Sequence, residues 1–458
     1  MNIINEITNS FNESSVKKSK FSSQQFFWYT YYIIRWYAMM NRKMRRELRK
    51  DKDLIKELYS IIVKYLPELL NLFDNLTDNR NQSYVTTYKM KTICVTRLFG
   101  LLCGLTTMTD ISSDKFNSEN CIKTLSKICN QNLEELPYWE TIQDVFINIK
   151  TGELRNIQKY IVKTLIRSKM FDKYKYNNYF QLVVDGTRLS NHSYNLNDNC
   201  LKRKHKGGKI SYYKYILECK LVVGPIVISV DSEWIENDTS FSEKEKQGCE
   251  IKAFERMAKR IKKNYPKYKF IITADALYCV APMMNICKNY NWKYIFNLND
   301  RLRTVFKDFI DYIEYFNDTT IKNYKYKGHK FHMIKFNEEK NNKRTSFHYI
   351  TNLDVYDKNI VALGRNRWKI ENQGFYNQKH RTFDITHLNS RNDTAMKNHY
   401  FFIHFAHTIR QLLEHGSLLT KSLKLKIKEV SEYLLHKHTS IPSDLNNIET
   451  NFQLRFDT

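Results

Sequence analysis

Three acidic residues frame the chemistry this chain is equipped for. Asp185 closes the apolar run FQLVVDG, Asp275 follows the apolar strand of KFIITADALY, and Glu371 lies in NRWKIENQGFYNQKH at 366–380. About 90 residues separate each from the next. A carboxylate closing an apolar strand wants a partner or a metal. Converging carboxylates suit hard divalent cations, which take oxygen ligands and assist in-line phosphoryl transfer at the attacking and leaving oxygens. Each residue also has a plainer reading. Asp185 with Gly186 makes an ordinary turn dipeptide, and Arg367 four residues before Glu371 makes a helix ion pair worth a few tenths of a kcal/mol. The elements that carry the three acids decide between these readings.

Upstream of Phe180 the patterning is helical. Residues 54–73 put Leu54, Leu58, Ile61, Ile62, Tyr65 and Leu69 on one helical face, and the pattern continues to about 178 with breaks at NLTDNRNQS and TDISSDKFNS. From Phe180 three strands are predicted: FQLVVDG, YYKYILECKLVV and PIVISVDSEWI, the last two joined through Gly224 and Pro225. A long helix follows, EKEKQGCEIKAFERMAKRIKKNY, with Ser242 and Glu245 spaced as a capping box. Then come the strand that leads to Asp275, a short helix around APMMNICKNY, and a fifth strand, WKYIFNLN. Three strands, a helix, a strand, a helix and a strand is the order of a ribonuclease H-like α/β fold with a mixed sheet. In open α/β sheets functional groups gather at the carboxyl ends of strands, where Asp185 and Asp275 are expected. Residues 301–356 interrupt the pattern as an antiparallel β insertion turning at NEEKNN. Helix resumes near Asn359, and AMKNHYFFIHFAHTIRQLLEHG is a further helix with its Gly placed as a C-cap.

Composition narrows the partner. With 74 Lys and Arg against 48 Asp and Glu, the formal net charge is +26, which favours nucleic acid ahead of an anionic membrane. A Lys-rich, AT-rich coding sequence is the plainer source of the same excess. Two basic clusters stand out: NRKMRRELRK, with Arg42, Arg45 and Arg46, and LKRKHKGG, with Lys202, Arg203, Lys204 and Lys206 in an expected hairpin beside Asp185. The aromatic stretch at 26–40 is shorter than the roughly 20 apolar residues of a membrane span and is interrupted by Arg35, so it reads as a core or interface helix. The N-terminus lacks the basic and apolar regions of a signal peptide. No two of the nine cysteines form a CxxC, which argues against a thiolate zinc site and for reduced, buried thiols in an intracellular protein. Asp231 and Glu233 at a strand end, Glu250 as an ion-pair partner of Lys246, and His399, His404 and His407 as packed residues rank below the three acids.

Taken together, LVVDGT, TADALY and GRNRWKIENQGFYNQKH, with EKQGCEIKAFERM between them, resemble the catalytic segments of bacterial insertion-sequence DDE transposases. The resemblance is to the insertion sequence four group, which has a β insertion before its Glu helix, and it covers roughly residues 85–415. That group carries a Tyr, Arg, Glu and Lys signature. Arg367 and Glu371 occupy the Arg and Glu places, whereas Gly364 stands at the Tyr place and Gln378 at the Lys place, with Lys379 one residue later. Lys379, Lys369 and Tyr376 are the candidates to make the missing phosphate contacts. The resemblance implies two Mg²⁺ ions, with Mn²⁺ substituting, held by Asp185, Asp275 and Glu371. It implies double-stranded DNA at element ends and target as the partner, a homodimer in the DNA complex, and cut-and-paste movement. It implies neither membrane nor small-molecule cofactor, and a place in the bacterial cytoplasm with the nucleoid.

The expected layout is a helical arm for DNA binding and oligomerisation at 1–85 and a helical lead-in at 86–178. The first part of the core spans 179–300, the β insertion 301–356, the core's completion with the Glu helix 357–415, and a helical tail 416–458. Two rivals remain open on sequence: a nuclease of the same fold that does not join strands, and a non-catalytic DNA-binding protein derived from a transposase.

Overall fold

Asp53 caps the first helix, its Oδ1 accepting from the backbone N–H groups of Ile55 and Lys56 at 3.1 Å each. The computed structural model describes residues 53–80, 86–236, 243–340, 343–354, 359–416, 427–440 and 443–456 apart from 447 and 449. The stretch 26–40, Arg42, Arg45, Arg46 and Ser242 of the expected capping box lie outside the described residues. Helix α1 (Leu54–Tyr65) and α2 (Leu69–Asp74) divide what the sequence reads as one element. Pro67 lies between them, and a proline inside a helix removes a backbone donor and clashes with the preceding turn. All six residues of the predicted face are buried all the same. Helices α3 (Met90–Leu102), α4 (Met108–Ile111), α5 (Glu119–Cys129), α6 (Trp139–Asn148) and α7 (Thr151–Arg167) complete the helical region.

The core sheet begins with β1 (Tyr179–His192), β2 (Leu201–Lys204), β3 (Ile210–Val223) and β4 (Ile226–Ile235). Helix α8 (Glu243–Asn264), β5 (Lys269–Ala274), α9 (Ala281–Tyr290) and β6 (Lys293–Asn297) follow. Strands run β4–β3–β1–β5–β6, with β1, β5 and β6 mutually parallel and β3 antiparallel to both β1 and β4. This is the ribonuclease H-like core that the element order predicts. The basic segment does form a hairpin: β2 pairs Ile210–Tyr213 of β3, and its turn uses Gly207 and Gly208 at φ +97° and +83°, a conformation that glycine adopts without steric cost.

One strand differs from expectation. FQLVVDG is not a short strand entering a turn, because β1 continues seven residues past Asp185. Those residues keep a hydrogen-bonding partner in β3, from Asp185 opposite Glu218 to His192 opposite Tyr212, with a bulge between Arg188 and Ser190. Only the parallel pairing with β5 stops there, at Val184 opposite Ala274.

The insertion carries a helix the sequence reading omits, α10 (Arg303–Phe316), which buries Val305 and Phe309 one turn apart. Strands β7 (Thr320–Tyr326), β8 (His329–Lys340) and β9 (Lys343–Thr351) form the antiparallel unit. Most of NEEKNN is strand, since Asn337–Lys340 pairs with β9. Because β9 pairs β6, the insertion extends the core sheet as β6–β9–β8–β7. Across that junction Ile271, Ile295, Ile334, Tyr349, Leu353 and Ile360 share one apolar cluster.

After the insertion come α11 (Asn359–Arg365), a π-helical segment (Ile370–Phe375), α12 (Tyr376–His380), α13 (Asp393–His415) and α14 (Ile427–Ser440). Gly416 does follow α13, but with extended backbone (φ −76°, ψ 155°) rather than the left-handed turn of a glycine C-cap. All nine cysteines are free and eight are buried. Among the described residues no helix is long and apolar enough to cross a membrane.

Candidate active site

The end of the β1–β5 pairing fixes two of the three acids. Val184 and Ala274 are the last partners in register, so Asp185 and Asp275 are the next residue on each of two neighbouring parallel strands. Asp185 Oδ1 accepts from the Gly186 N–H at 2.9 Å. Asp275 caps a 3₁₀ turn, Ala276–Tyr278, through Leu277 N–H to Oδ1 at 2.9 Å. Local backbone donors therefore hold both carboxylates in place.

Glu371 reaches the same neighbourhood from the π-helical segment. Arg367 Nη1 lies 2.6 Å from Glu371 Oε1 and 3.8 Å from Asp185 Oδ2, so one guanidinium spans two of the acids. Burial, then Asp275 and further off Glu371, push the Asp185 carboxyl up to about 7 against the opposing pull of Arg367. The helix ion pair of the plainer reading exists, and it stands within the acidic cluster. Among the described residues no group of three or more His, Cys, Asp or Glu is already arranged to hold a metal ion; Glu371 is turned onto Arg367.

Three side chains tie the Glu371 segment to the sheet. Gln181 on β1 donates to Leu363 O at 2.7 Å and accepts from Asn366 Nδ2 at 2.9 Å. Lys369 donates to Gly224 O at 2.8 Å, and burial lowers its basicity. Lys220 on β3 donates to Gln378 at 3.3 Å. Lys369 thus ties the segment to the turn between β3 and β4. Gln378 is fully buried as well. Lys379, in contrast, donates to Thr187 Oγ1 at 2.7 Å. Thr187 follows Asp185 by two residues on β1, the spacing that shares a sheet face. Burial and Arg188 lower the basicity of Lys379, and Asp185 opposes them. Tyr376 is half exposed, beside Arg381 and His380. Gly364 has a steric reason: a Cβ there would come within 2.7 Å of the Tyr349 ring from β9.

Other candidates separate from the cluster. Asp231 is buried against Arg155 (3.0 Å) and Arg260 (2.7 Å), and Glu233 pairs with Arg256 and Arg260 at 2.6 Å each; Asp231 binds β4 to α7 and α8, and Glu233 binds it to α8. His399, His404 and His407 are buried. Lys202, Arg203, Lys204 and Lys206 sit on the β2–β3 hairpin, half-buried to exposed, alongside the far end of β1. About 20 Å of strand separates that end from Asp185.

Glu250 holds a place the sequence reading understates. The Lys246 side chain lies outside the described residues, whereas Glu250 is buried and accepts from the Tyr215 hydroxyl at 3.0 Å and the Tyr278 hydroxyl at 2.6 Å. It thereby joins α8 to β3 and to the turn that follows Asp275. The signal available in the sequence was Tyr278 three residues after Asp275, a polar-tipped aromatic that needs a partner when buried. A Cβ on Gly186 would come within 2.4 Å of the Tyr215 hydroxyl. Gly186→Ala is therefore expected to cost about 1–3 kcal/mol, in the range of overpacked sites. Thermal unfolding checks this, and adding Tyr215→Phe, which removes the nearest atom, is expected to return part of the loss.

Residues 245–409 match the family model described as a transposase DDE domain. That stretch is similar to a transposase DDE domain. The matched stretch holds Asp275, Glu371, Arg367 and Lys379 and begins after Asp185. No curated protein matches the chain. Within the matched stretch the segment with Glu371 follows the β insertion, and Arg367 links it back to Asp185 at the end of the β1–β5 pairing.

Proposed function

We propose that the chain is a DNA transposase that hydrolyses phosphodiester bonds at element ends and transfers the freed 3′-hydroxyl to target DNA, a cut-and-paste reaction. The observation that carries this reading is the adjacency of Asp185 and Asp275 at the end of one parallel strand pair, with Arg367 bridging Asp185 to Glu371. The donor set fits divalent cations: three carboxylates are hard oxygen ligands, and Asp185, raised first by burial and then by the Asp275 carboxylate, stands where a cation would offset both costs. Asp185, Asp275 and Glu371 would hold two Mg²⁺ ions, or Mn²⁺ in their place. Bound there, the cations would supply Lewis acidity to the phosphodiester and offset charge on the attacking and leaving oxygens.

The chain's own residues position the DNA. Arg367 orients Glu371 and offers its remaining N–H donors to a phosphate, a geometry suited to a guanidinium. Lys379 presents an ammonium on the Asp185 face of β1. Lys202, Arg203, Lys204 and Lys206 give the backbone of double-stranded DNA a basic hairpin to follow. Arg42, Arg45 and Arg46 extend that role to an arm at 1–85, which also joins two copies of the chain on the DNA. The segments 86–178, 179–300, 301–356, 357–415 and 416–458 then act as lead-in, core, insertion, core completion and tail.

Lys379→Gln is expected to lower the slope of log affinity against log salt by about one, because one phosphate contact releases about 0.9 of a counterion. Fluorescence anisotropy on a labelled duplex over a salt series measures it, and an unchanged slope removes Lys379 from the interface.

The function itself is tested with labelled DNA spanning the coding sequence and its flanks, incubated with protein and Mg²⁺ or Mn²⁺. New 3′-hydroxyl ends and joined products, both absent with Glu371→Gln, support the transposase. Ends without joined products favour a nuclease, and binding without any metal-dependent cut leaves a DNA-binding relic.

A further inference from the structure

The segment that carries Glu371 is not a uniform helix. Ile370–Phe375 is π-helical and α-helix resumes at Tyr376. A π turn inserts a residue, so everything after it is rotated relative to α-helical register, and such turns occur often at functional sites. Gln378 and Lys379 record the rotation. Gln378, seven residues after Glu371, would share its face in an unbroken α-helix. Instead its Nε2 stands 3.2 Å from Nδ1 of both His404 and His407, inside the core. Lys379, one residue later, is the side chain that reaches Thr187 beside Asp185.

Lys220 is what meets the turn from below. Glu218 and Lys220 stand on β3 opposite Asp185 and Val183 of β1, and directly paired residues project to one face. Ile370 and Phe375 cover that face, packed with Val183, Val222 and Val227. Lys220 is fully buried, with Nζ 3.1 Å from Glu218 Oε2 and 5.6 Å from the centre of the Phe375 ring. Its Cε and Cδ lie 3.1 and 3.2 Å from where a Cβ on Gly374 would sit. One lysine therefore touches Gly374, Phe375 and Gln378. Glu218 is held in turn by the hydroxyls of Tyr400 and Ser229, each at 2.7 Å, and by His404 Nε2 at 2.9 Å.

We propose that the buried Glu218–Lys220 pair, through Gln378, anchors the Glu371 segment in its π register and so sets how Glu371 and Lys379 stand toward Asp185. The proposal rests on the reading of Asp185, Asp275 and Glu371 given above. Glu218, Lys220 and Gln378 are positioning residues, all fully buried. Buried ion pairs are often replaceable by neutral groups at little cost in stability, and their best-attested use is to fix one arrangement among several.

Two variants test this, read by amide hydrogen exchange in the metal-free, DNA-free protein and by strand cleavage. The paired variant Glu218→Gln/Lys220→Met removes both charges together. Gly374→Ala leaves them in place and pushes Lys220 aside from the helix, so it decides the matter if the paired variant fails to fold. Amides of 371–380 are expected to exchange at least about tenfold faster in either variant, with cleavage reduced roughly 10- to 100-fold, the range found when groups behind metal ligands are altered. Wild-type exchange and cleavage in a folded variant would overturn the anchor. Glu371→Gln separates the two levels: it should abolish cleavage with exchange unchanged, and its retention of cleavage would instead defeat the reading of the acids.

Discussion

Asp185→Asn is expected to abolish metal-dependent strand cleavage and, in the same preparation, to raise the melting temperature of the metal-free protein at neutral pH. The two effects share one cause. Burial and the neighbouring Asp275 hold the folded carboxyl up to about 7, against 3.8 for an ordinary aspartate. A carboxyl raised on folding keeps its proton after the unfolded chain has released it, so stability falls as pH rises from about 4 to about 7 and then levels off. Asparagine carries no such cost. The gain should be absent below about pH 4 and reach roughly 1–4 kcal/mol above pH 7. Activity should fall by about three orders of magnitude, since several kcal/mol of charge stabilisation at the phosphodiester is lost. Saturating Mg²⁺ or Mn²⁺ should narrow the stability difference, because it stabilises the protein that binds it. Differential scanning calorimetry from pH 4 to 8, with and without metal, checks each part.

Lys220→Met alone is expected to be the most damaging of the single changes considered, lowering stability by about 3–5 kcal/mol. The reason is the partner left behind. Glu218 is fully buried; burial alone would raise its carboxyl, yet His404, Lys220 and the Ser229 hydroxyl hold it below the usual carboxylate range. Removing Lys220 leaves that carboxylate without its fixed cation. Glu218→Gln added to Lys220→Met should recover most of the loss, a coupling that a double-mutant cycle measures directly. Additive losses would mean that the two side chains stabilise the fold independently.

The core of this fold was legible because its signals are local. Apolar runs of strand length, one long amphipathic helix and their order give the ribonuclease H-like sheet, and APMMNICKNY matches α9 residue for residue. Of the acids, Asp275 was legible at the end of its strand, whereas Asp185 marks the end of the parallel pairing with β5 and not the end of β1. What the sequence hid depends on pairing between distant segments. The length of β1 past Asp185 is set by β3, to which FQLVVDG gives no clue. The π turn has no signature in NRWKIENQGFYNQKH, so Lys379 reads as one residue out of place until Gln378 is seen in the core. A mark was present in ILECKLVV, where Glu218 and Lys220 sit two apart in an otherwise apolar run and so share one face of the strand. Glu250 was visible on a long helix, but the two tyrosines that hold it come from other elements.

The central claim is that Asp185, Asp275 and Glu371 act as one metal-holding group on DNA. Its most direct test is a Mn²⁺ titration followed by electron paramagnetic resonance, with the protein bound to an uncleavable duplex. Asp185→Asn, Asp275→Asn and Glu371→Gln are each compared with wild type. The account predicts that wild type takes up Mn²⁺ and that each substitution weakens it at least about tenfold, while DNA affinity at fixed salt is kept. Mn²⁺ uptake unchanged by all three substitutions would contradict it.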